Sequence, residues 1–183
     1  MSLKKKVYKL SHCIQLFYAL KNAERRLVIY DIDNTIADTW RQLGLSKNEP
    51  SKLYRNLLFF PSMLKRIQED YNGPSNRILF FTVRPIGTWL ITLRWLMRHK
   101  LPVKWHDLFF FSSPTHKIDL LECLVKKGYE IIFIDDLSYN HENGNVLFFV
   151  EEIKRVQNMP LIYKGLTEIL AIQNDSDSKL NTL

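Results

Sequence analysis

Apolar residues in this chain fall into short continuous runs separated by amphipathic stretches. Leu27-Val28-Ile29-Tyr30, Arg77-Ile78-Leu79-Phe80-Phe81-Thr82, Leu108-Phe109-Phe110-Phe111, Ile131-Ile132-Phe133-Ile134 and residues 146–150 predict five strands. Between them, residues 11–24 carry Ile14, Phe17 and Leu20 close to helical spacing, and Trp89, Leu93, Leu96 and Met97 repeat in the same way up to Lys100. A further helix begins near Lys117 with Ile118, Leu121 and Val125 on its apolar face and Gly128 as its stop. Residues 151–158 and 165–172 also read as helices, and a polar, disordered tail is expected over 174–183. The least regular region is 38–77, where short helices carry Leu53, Leu57, Met63 and Ile67 before the turn Tyr71-Asn72-Gly73-Pro74.

Strands without a polar face, alternating with amphipathic helices, predict an α/β domain over residues 1–173. Its five-stranded, mostly parallel sheet is covered by helices on both faces. The link into residues 146–150 holds Asn143-Gly144-Asn145 and is short for a parallel crossover, so the direction of the fifth strand stays open.

Composition narrows the class without naming a reaction. At 183 residues, 46% apolar and 25% charged, the chain is expected to be one globular domain with a substantial core. No apolar run approaches the ~20 residues that cross a bilayer. Lys4-Lys5-Lys6 is not followed by the apolar block of roughly 7–15 residues of a secretory signal. A cytoplasmic protein with no membrane partner is therefore expected. Cys13 and Cys123 stand in no metal or redox spacing, and both are expected as small core residues. The net charge of +7 favours an anionic partner, which is phosphorylated substrate, nucleic acid or acidic lipid.

Chemistry collects where the strands stop. Asp31 and Asp33 close the first strand, Thr82 the second, and Asp135-Asp136 the fourth, while Lys117 opens the helix after the third. In a parallel α/β sheet, ligands bind beyond the carboxyl ends of the strands, so this topology brings all of these residues together. Several carboxylates converging on one spot repel one another unless a divalent cation is bound, and hard oxygen donors suit Mg²⁺. A lysine and a hydroxyl beside such an ion make a pocket for a phosphoryl group, and a carboxylate can attack phosphorus to form an aspartyl-phosphate.

The order of these residues resembles the haloacid dehalogenase (HAD) superfamily. Asp31-Ile32-Asp33-Asn34-Thr35 matches its first motif, Thr82 the second, Lys117 the third and Asp135-Asp136 the fourth, over roughly residues 27–150. The resemblance implies a Rossmann-like fold and a Mg²⁺-dependent phosphatase. In that reading Asp31 is the nucleophile and Asp33 the acid and base. Thr82 and Lys117 hold phosphate oxygens, helped by backbone N–H groups after Asp33, beginning at Asn34. Mg²⁺ lies between the Asp31 carboxylate, the Asp33 carbonyl and the Asp135/Asp136 pair. Dehalogenating members lack an acid at the position of Asp33, and transport ATPases carry Thr there, so Asp33 points to phosphomonoester hydrolysis.

Only five residues separate Phe111 from Lys117, and the 40 residues from Asp38 to Arg77 must hold the family's flap and a helix. At most a small cap remains, which leaves an open site for a phosphorylated small molecule or a phosphorylated polymer end. Arg84 stands two residues after Thr82 and is a candidate substrate contact. It also heads a basic stretch with Trp89, Arg94, Trp95, Arg98, Lys100, Lys104 and Trp105. An amphipathic helix with core tryptophans explains this stretch better than a nucleic-acid surface. The rival readings are a nucleotide or polynucleotide-end phosphatase and a catalytically silent HAD-like binding protein. A receiver-type signalling domain is disfavoured because its acidic pair ends the first strand and its phosphoacceptor the third, where Phe111 is followed here by Ser112.

Overall fold

The computed structural model describes residues 3–21, 25–39, 50–73, 76–139 and 145–180. The chain runs α1 (Leu3–Leu20), β1 (Arg26–Asp31), α2 (Pro50–Asn56), α3 (Pro61–Asn72), β2 (Asn76–Thr82), α4 (Trp89–Arg98) and β3 (Leu108–Phe110). It continues through α5 (Pro114–Lys126), β4 (Glu130–Ile134), a hairpin of β5 (Ser138–Tyr139) and β6 (Leu147–Phe148), α6 (Val150–Gln157), β7 (Ile162–Lys164) and α7 (Leu166–Leu180). Five strands form one sheet in the order β3-β2-β1-β4-β7, parallel at every pairing. This is the expected α/β sheet, consistent with a Rossmann-like fold that carries no large cap.

Strand geometry divides the core in two, because successive side chains point to opposite faces. Val28, Tyr30, Ile78, Phe80, Ile132 and Ile134 face one way and pack with residues of α2, α3, α4 and α7. Leu27, Ile29, Leu79, Phe81, Ile131 and Phe133 face the other way, against α1, α5 and α6. Each fully buried large apolar side chain in these layers contributes about 1.5–3 kcal/mol. Polar contacts also cross the first layer. The Tyr30 hydroxyl donates to Asp70 Oδ2, which also accepts from Arg66 Nε at 3.2 Å.

Several expectations are corrected. The fifth strand of the sheet is Ile162–Lys164, which pairs in parallel with β4. Residues 146–150 do not join that sheet. Leu147–Phe148 instead pair antiparallel with Ser138–Tyr139, and Val150 opens α6. The apolar run there is half exposed, with Leu147 at 45% and Phe148 at 41%, so its hydrophobicity does not signal core position. The last helix begins at Leu166, one residue after the expected start, and runs on to Leu180.

Cys13 and Cys123 are free and exposed, not buried. Cys123 sits one residue from Leu124, about 100° around the helix, which is enough to turn it away from the core. Among the tryptophans, Trp95 is buried and stacks on Phe59 at 4.9 Å, as an amphipathic helix requires. Trp89 and Trp105 remain 42% and 50% exposed. Among the described residues, no helix is long and apolar enough to cross a membrane.

The strand order reverses direction at β1, with β2 and β3 on one side and β4 and β7 on the other. Such a switch point is where open parallel sheets build ligand sites. Asp31 ends β1, and Asp135 and Asp136 follow β4 directly.

Candidate functional site

Two carboxylates two residues apart at the end of β1 are placed in different surroundings. Asp31 is buried and faces the neighbouring strand end. Its Oδ1 accepts from Lys117 Nζ at 2.5 Å, and the same ammonium donates to Asp135 Oδ2 at 2.7 Å. Lys117 comes from the first turns of α5, which starts where Ser113 Oγ accepts from the His116 N–H and Pro114 occupies the opening of the helix. That cap aims the lysine back under the strand ends. Lys117 is 3% exposed, and its charge is kept because Asp135 and Asp31 outweigh the cost of its burial.

Oxygens of Asp31, Asp135 and Asp136 all lie within 4.8 Å of one another, with every residue of the three buried. Asp135 Oδ1 accepts from the Leu137 N–H at 2.9 Å, and Tyr163 donates to the Asp135 carbonyl at 3.0 Å, so β7 braces the loop after β4. The Asp136 carboxylate accepts from Thr35 Oγ1 at 3.2 Å and from Ser138 Oγ. Leu137 takes a positive φ of 44°, which turns the chain sharply enough to hold both acids at the site.

Three buried carboxylates share one ammonium, and the imbalance shows at Asp31 and Asp136. Burial raises the Asp31 carboxyl well above its ordinary value, against the pull of Lys117 and with the push of Asp135 and Asp136. Burial, followed by the Asp135 charge, pushes Asp136 up to about 7. These three carboxylates offer an all-oxygen donor set that could hold a hard cation such as Mg²⁺.

Asp33 belongs to a different group. Its Oδ1 accepts from Arg84 Nη2 at 2.7 Å, its Oδ2 from Arg84 Nε at 2.9 Å, and its Oδ1 also from Thr39 Oγ1 at 2.7 Å. Burial would raise the carboxyl, but the Arg84 charge and hydrogen bonds, with that of Thr39, hold it below the ordinary carboxylate range. Arg84 in turn lies over the Tyr54 ring, 4.4 Å from its centroid, and donates to Thr92 Oγ1 at 3.3 Å. Tyr54 comes from α2 and Thr92 from α4, so both helices hold the guanidinium against Asp33.

Each site residue expected from sequence has a definite place. Asp31, Asp33, Asn34, Lys117, Asp135 and Asp136 line one cavity of about 240 Å³. Three details differ from expectation. Arg84 does not line this cavity: its side chain is 1% exposed and is spent on Asp33. The Asn34 N–H donates to Ala37 O at 2.8 Å, with Asn34 at φ 59°, so this amide closes a turn and is not available to cradle an anion. Thr82 is fully buried and reaches Asp33 Oδ2 at 3.4 Å while accepting from the Arg84 N–H. His116 pairs with Ser112 and is not among the cavity residues. Asn140 and His141 lie outside the described residues.

Sequence reasoning missed Thr35, Thr39 and Ser138 as partners of the acids. The signal was present as hydroxyls within a few residues of each acidic pair, but hydroxyls are common in such loops. Of the region 38–77, residues 57–60 fold back on the turn after β1. The Asp38 N–H donates to Leu58 O at 2.9 Å, and the Phe60 N–H donates to Ile36 O at 3.0 Å. Residues 40–49 lie outside the described residues. No protein-family model matches this chain, and no curated protein matches it either.

Proposed function

We propose that this chain is a HAD-type phosphatase that hydrolyses a phosphomonoester through an aspartyl-phosphate on Asp31. The observation that supports this reading best is the Asp31–Lys117–Asp135 contact beside Asp136, at the carboxyl ends of β1 and β4. It combines a buried nucleophile candidate, a fixed ammonium and a cation-suited acid cluster in one cavity.

In this mechanism Lys117 orients Asp31 through Oδ1 and offsets part of its charge. An Asp31 oxygen attacks phosphorus, the ester P–O bond breaks, and the leaving oxygen takes a proton from Asp33. In the second half Asp33 removes a proton from water, the hydroxide attacks phosphorus, and the bond from phosphorus to Asp31 breaks to release phosphate. Asp31, Asp135 and Asp136 would hold Mg²⁺, which when bound offsets negative charge on the phosphoryl oxygens. Asp33 is held ionised by Arg84 in this structure, the form the second half requires. The first half requires it protonated and turned from Arg84 toward the cavity that it lines.

The test is hydrolysis of p-nitrophenyl phosphate by the purified chain with Mg²⁺. Turnover is expected, and it is lost when Asp31→Asn is made. Undiminished turnover in that variant would remove Asp31 as nucleophile. A second reading, a HAD-like binding protein without turnover, is favoured by one observation. Arg84 and Thr39 leave Asp33 paired and ionised, a poor proton donor as it stands. Binding of phosphate with Mg²⁺, without hydrolysis of any phosphomonoester tried, would select that reading.

A further inference from the structure

The cavity has two unlike walls. One carries the carboxylates and Lys117, and the other is apolar, built from Val83, Pro114, Leu137, Tyr139 and Phe149. The hairpin after β4 supplies the aromatic part of this wall. Tyr139 pairs with Leu147 across the hairpin, and the Phe149 N–H donates to Leu137 O at 2.9 Å, which fixes both rings to the loop that bears Asp135 and Asp136. The two rings meet with centroids 4.6 Å apart at 34°. Tyr139 is nonetheless 43% exposed, so an aromatic side chain stands open at the mouth of a strongly charged site.

Apolar side chains make up much of the lining beside the charged groups, and two of them are aromatic rings. Any apolar group covering that surface releases water at a gain, and a flat aromatic ring gains further from ring-to-ring contact. The cavity, about 240 Å³, is smaller than the ~300–1,000 Å³ typical of pockets for drug-sized ligands. A phosphoryl group and a single ring are in keeping with that size.

We propose that Tyr139 and Phe149 form an aromatic platform that selects phosphomonoesters with a flat aromatic ring at, or one carbon from, the ester oxygen. The proposal rests on the phosphatase reading for its phosphoryl end, and it assigns the substrate class that reading leaves open. A free aryl phosphate and a phosphotyrosine side chain share this chemistry. The ring lies on the hairpin while its phosphoryl group meets Asp31 and Lys117.

Phenylphosphonate and ethylphosphonate cannot be hydrolysed, so their binding to the full chain with Mg²⁺ tests the platform without relying on turnover. Phenylphosphonate is expected to bind about threefold to tenfold tighter, the range of an aromatic pair contact. Tyr139→Leu and Phe149→Leu keep apolar bulk, so the fold is retained. Each is expected to remove most of that preference, read as the ratio of the two affinities within the same variant. Turnover of p-nitrophenyl phosphate is measured on the same samples. Equal affinity for both phosphonates, with p-nitrophenyl phosphate hydrolysed, overturns the platform and keeps the phosphatase. A preference for phenylphosphonate that the leucine variants abolish, without turnover of any ester, keeps the platform and overturns the phosphatase. Binding of neither phosphonate, without turnover, overturns both. Comparing turnover of phenyl phosphate with that of a tyrosine-phosphorylated peptide separates the two sources, since only an open mouth accepts the peptide.

Discussion

Asp31 and Asp33 are separated by a single residue, yet the fold gives them opposite electrostatic surroundings. Asp31 enters a cluster in which three carboxylates share one ammonium, and its carboxyl is raised. Asp33 is paired with the Arg84 guanidinium and accepts from the Thr39 hydroxyl, and its carboxyl is lowered. The first group is short of positive charge and the second has enough. Two like side chains one residue apart are thereby made chemically distinct, as two different roles in one reaction would need.

The largest expected effect comes from comparing the two aspartates directly. Asp31→Asn is expected to lower phosphomonoester turnover by roughly 10⁴-fold, the scale on which loss of a covalent nucleophile acts, with no phosphoryl group retained on the protein. Asp33→Asn is expected to slow turnover while phosphoryl label from a reactive substrate accumulates on the chain, because attack proceeds and hydrolysis stalls. Rapid-quench labelling reads both. Equal label in the two variants would break the division of roles.

Lys117 is the cation that makes the Asp31 group tolerable. Lys117→Met leaves three buried carboxylates with no ammonium, and removing one partner of a buried pair costs about 3–5 kcal/mol. Chemical denaturation without divalent metal is expected to show a loss of that size, partly restored by Mg²⁺. A variant as stable as the wild type would mean that the cluster is protonated throughout and holds no charge to offset.

Arg84 plays the matching part for Asp33. Arg84→Ala is expected to lower kcat/KM by about 10²-fold, the lower end of what a mispositioned proton-transfer group costs. The ascending limb of its kcat–pH profile, set by Asp33 as the base in aspartyl-phosphate hydrolysis, is expected to move to higher pH. The sign follows from the cause: Arg84 holds the Asp33 carboxyl down, so its removal lets burial carry that carboxyl up. Arg84→Lys is expected to restore the limb's position in part, because a point charge replaces the charge but not the two-pronged contact. A profile that shifts in neither variant would assign Arg84 to stability alone.

How much of this was legible beforehand differs between the two groups. The Asp31 group could be read because apolar strands stop at acids, and a parallel sheet gathers strand ends whatever the side-chain details. The Asp33 group could not. Arg84 was visible as a neighbour of Thr82, but its pairing with Asp33 depends on Tyr54 and Thr92, on two helices whose packing no periodicity specifies. The fifth strand was misplaced for a related reason. Residues 146–150 are apolar but lie half exposed in a hairpin, whereas the three-residue strand Ile162–Lys164 contains a tyrosine and a lysine and carries little pattern of its own. Hydrophobicity alone does not tell exposed apolar residues beside a cavity from core residues.

The smallest effect tests the charge deficit itself. Burial and the neighbouring Asp135 push Asp136 up to about 7, so in the metal-free protein the folded state holds a proton that the unfolded chain, with an ordinary carboxyl near 4, releases. That contribution to stability is present at pH below about 4 and is lost as pH rises through 7. A bound cation reverses the preference, because it requires the carboxylate. At pH 6 Mg²⁺ must displace a proton held about one pH unit below that value, which weakens binding by about tenfold, or about 1.4 kcal/mol, relative to pH 8. Calorimetric titration of Mg²⁺ into the phosphate-free protein at the two pH values is expected to show this difference, with proton uptake by the buffer at pH 6. Asp136→Asn is expected to bind Mg²⁺ more weakly at both and to lose most of the dependence on pH. Arg84→Ala is expected to keep it, because Arg84 serves Asp33 and not the cluster. If Mg²⁺ bound equally at pH 6 and pH 8, the three acids would not be the cation's ligands, and the contrast between the Asp31 and Asp33 groups would have to rest on Lys117 and Arg84 alone.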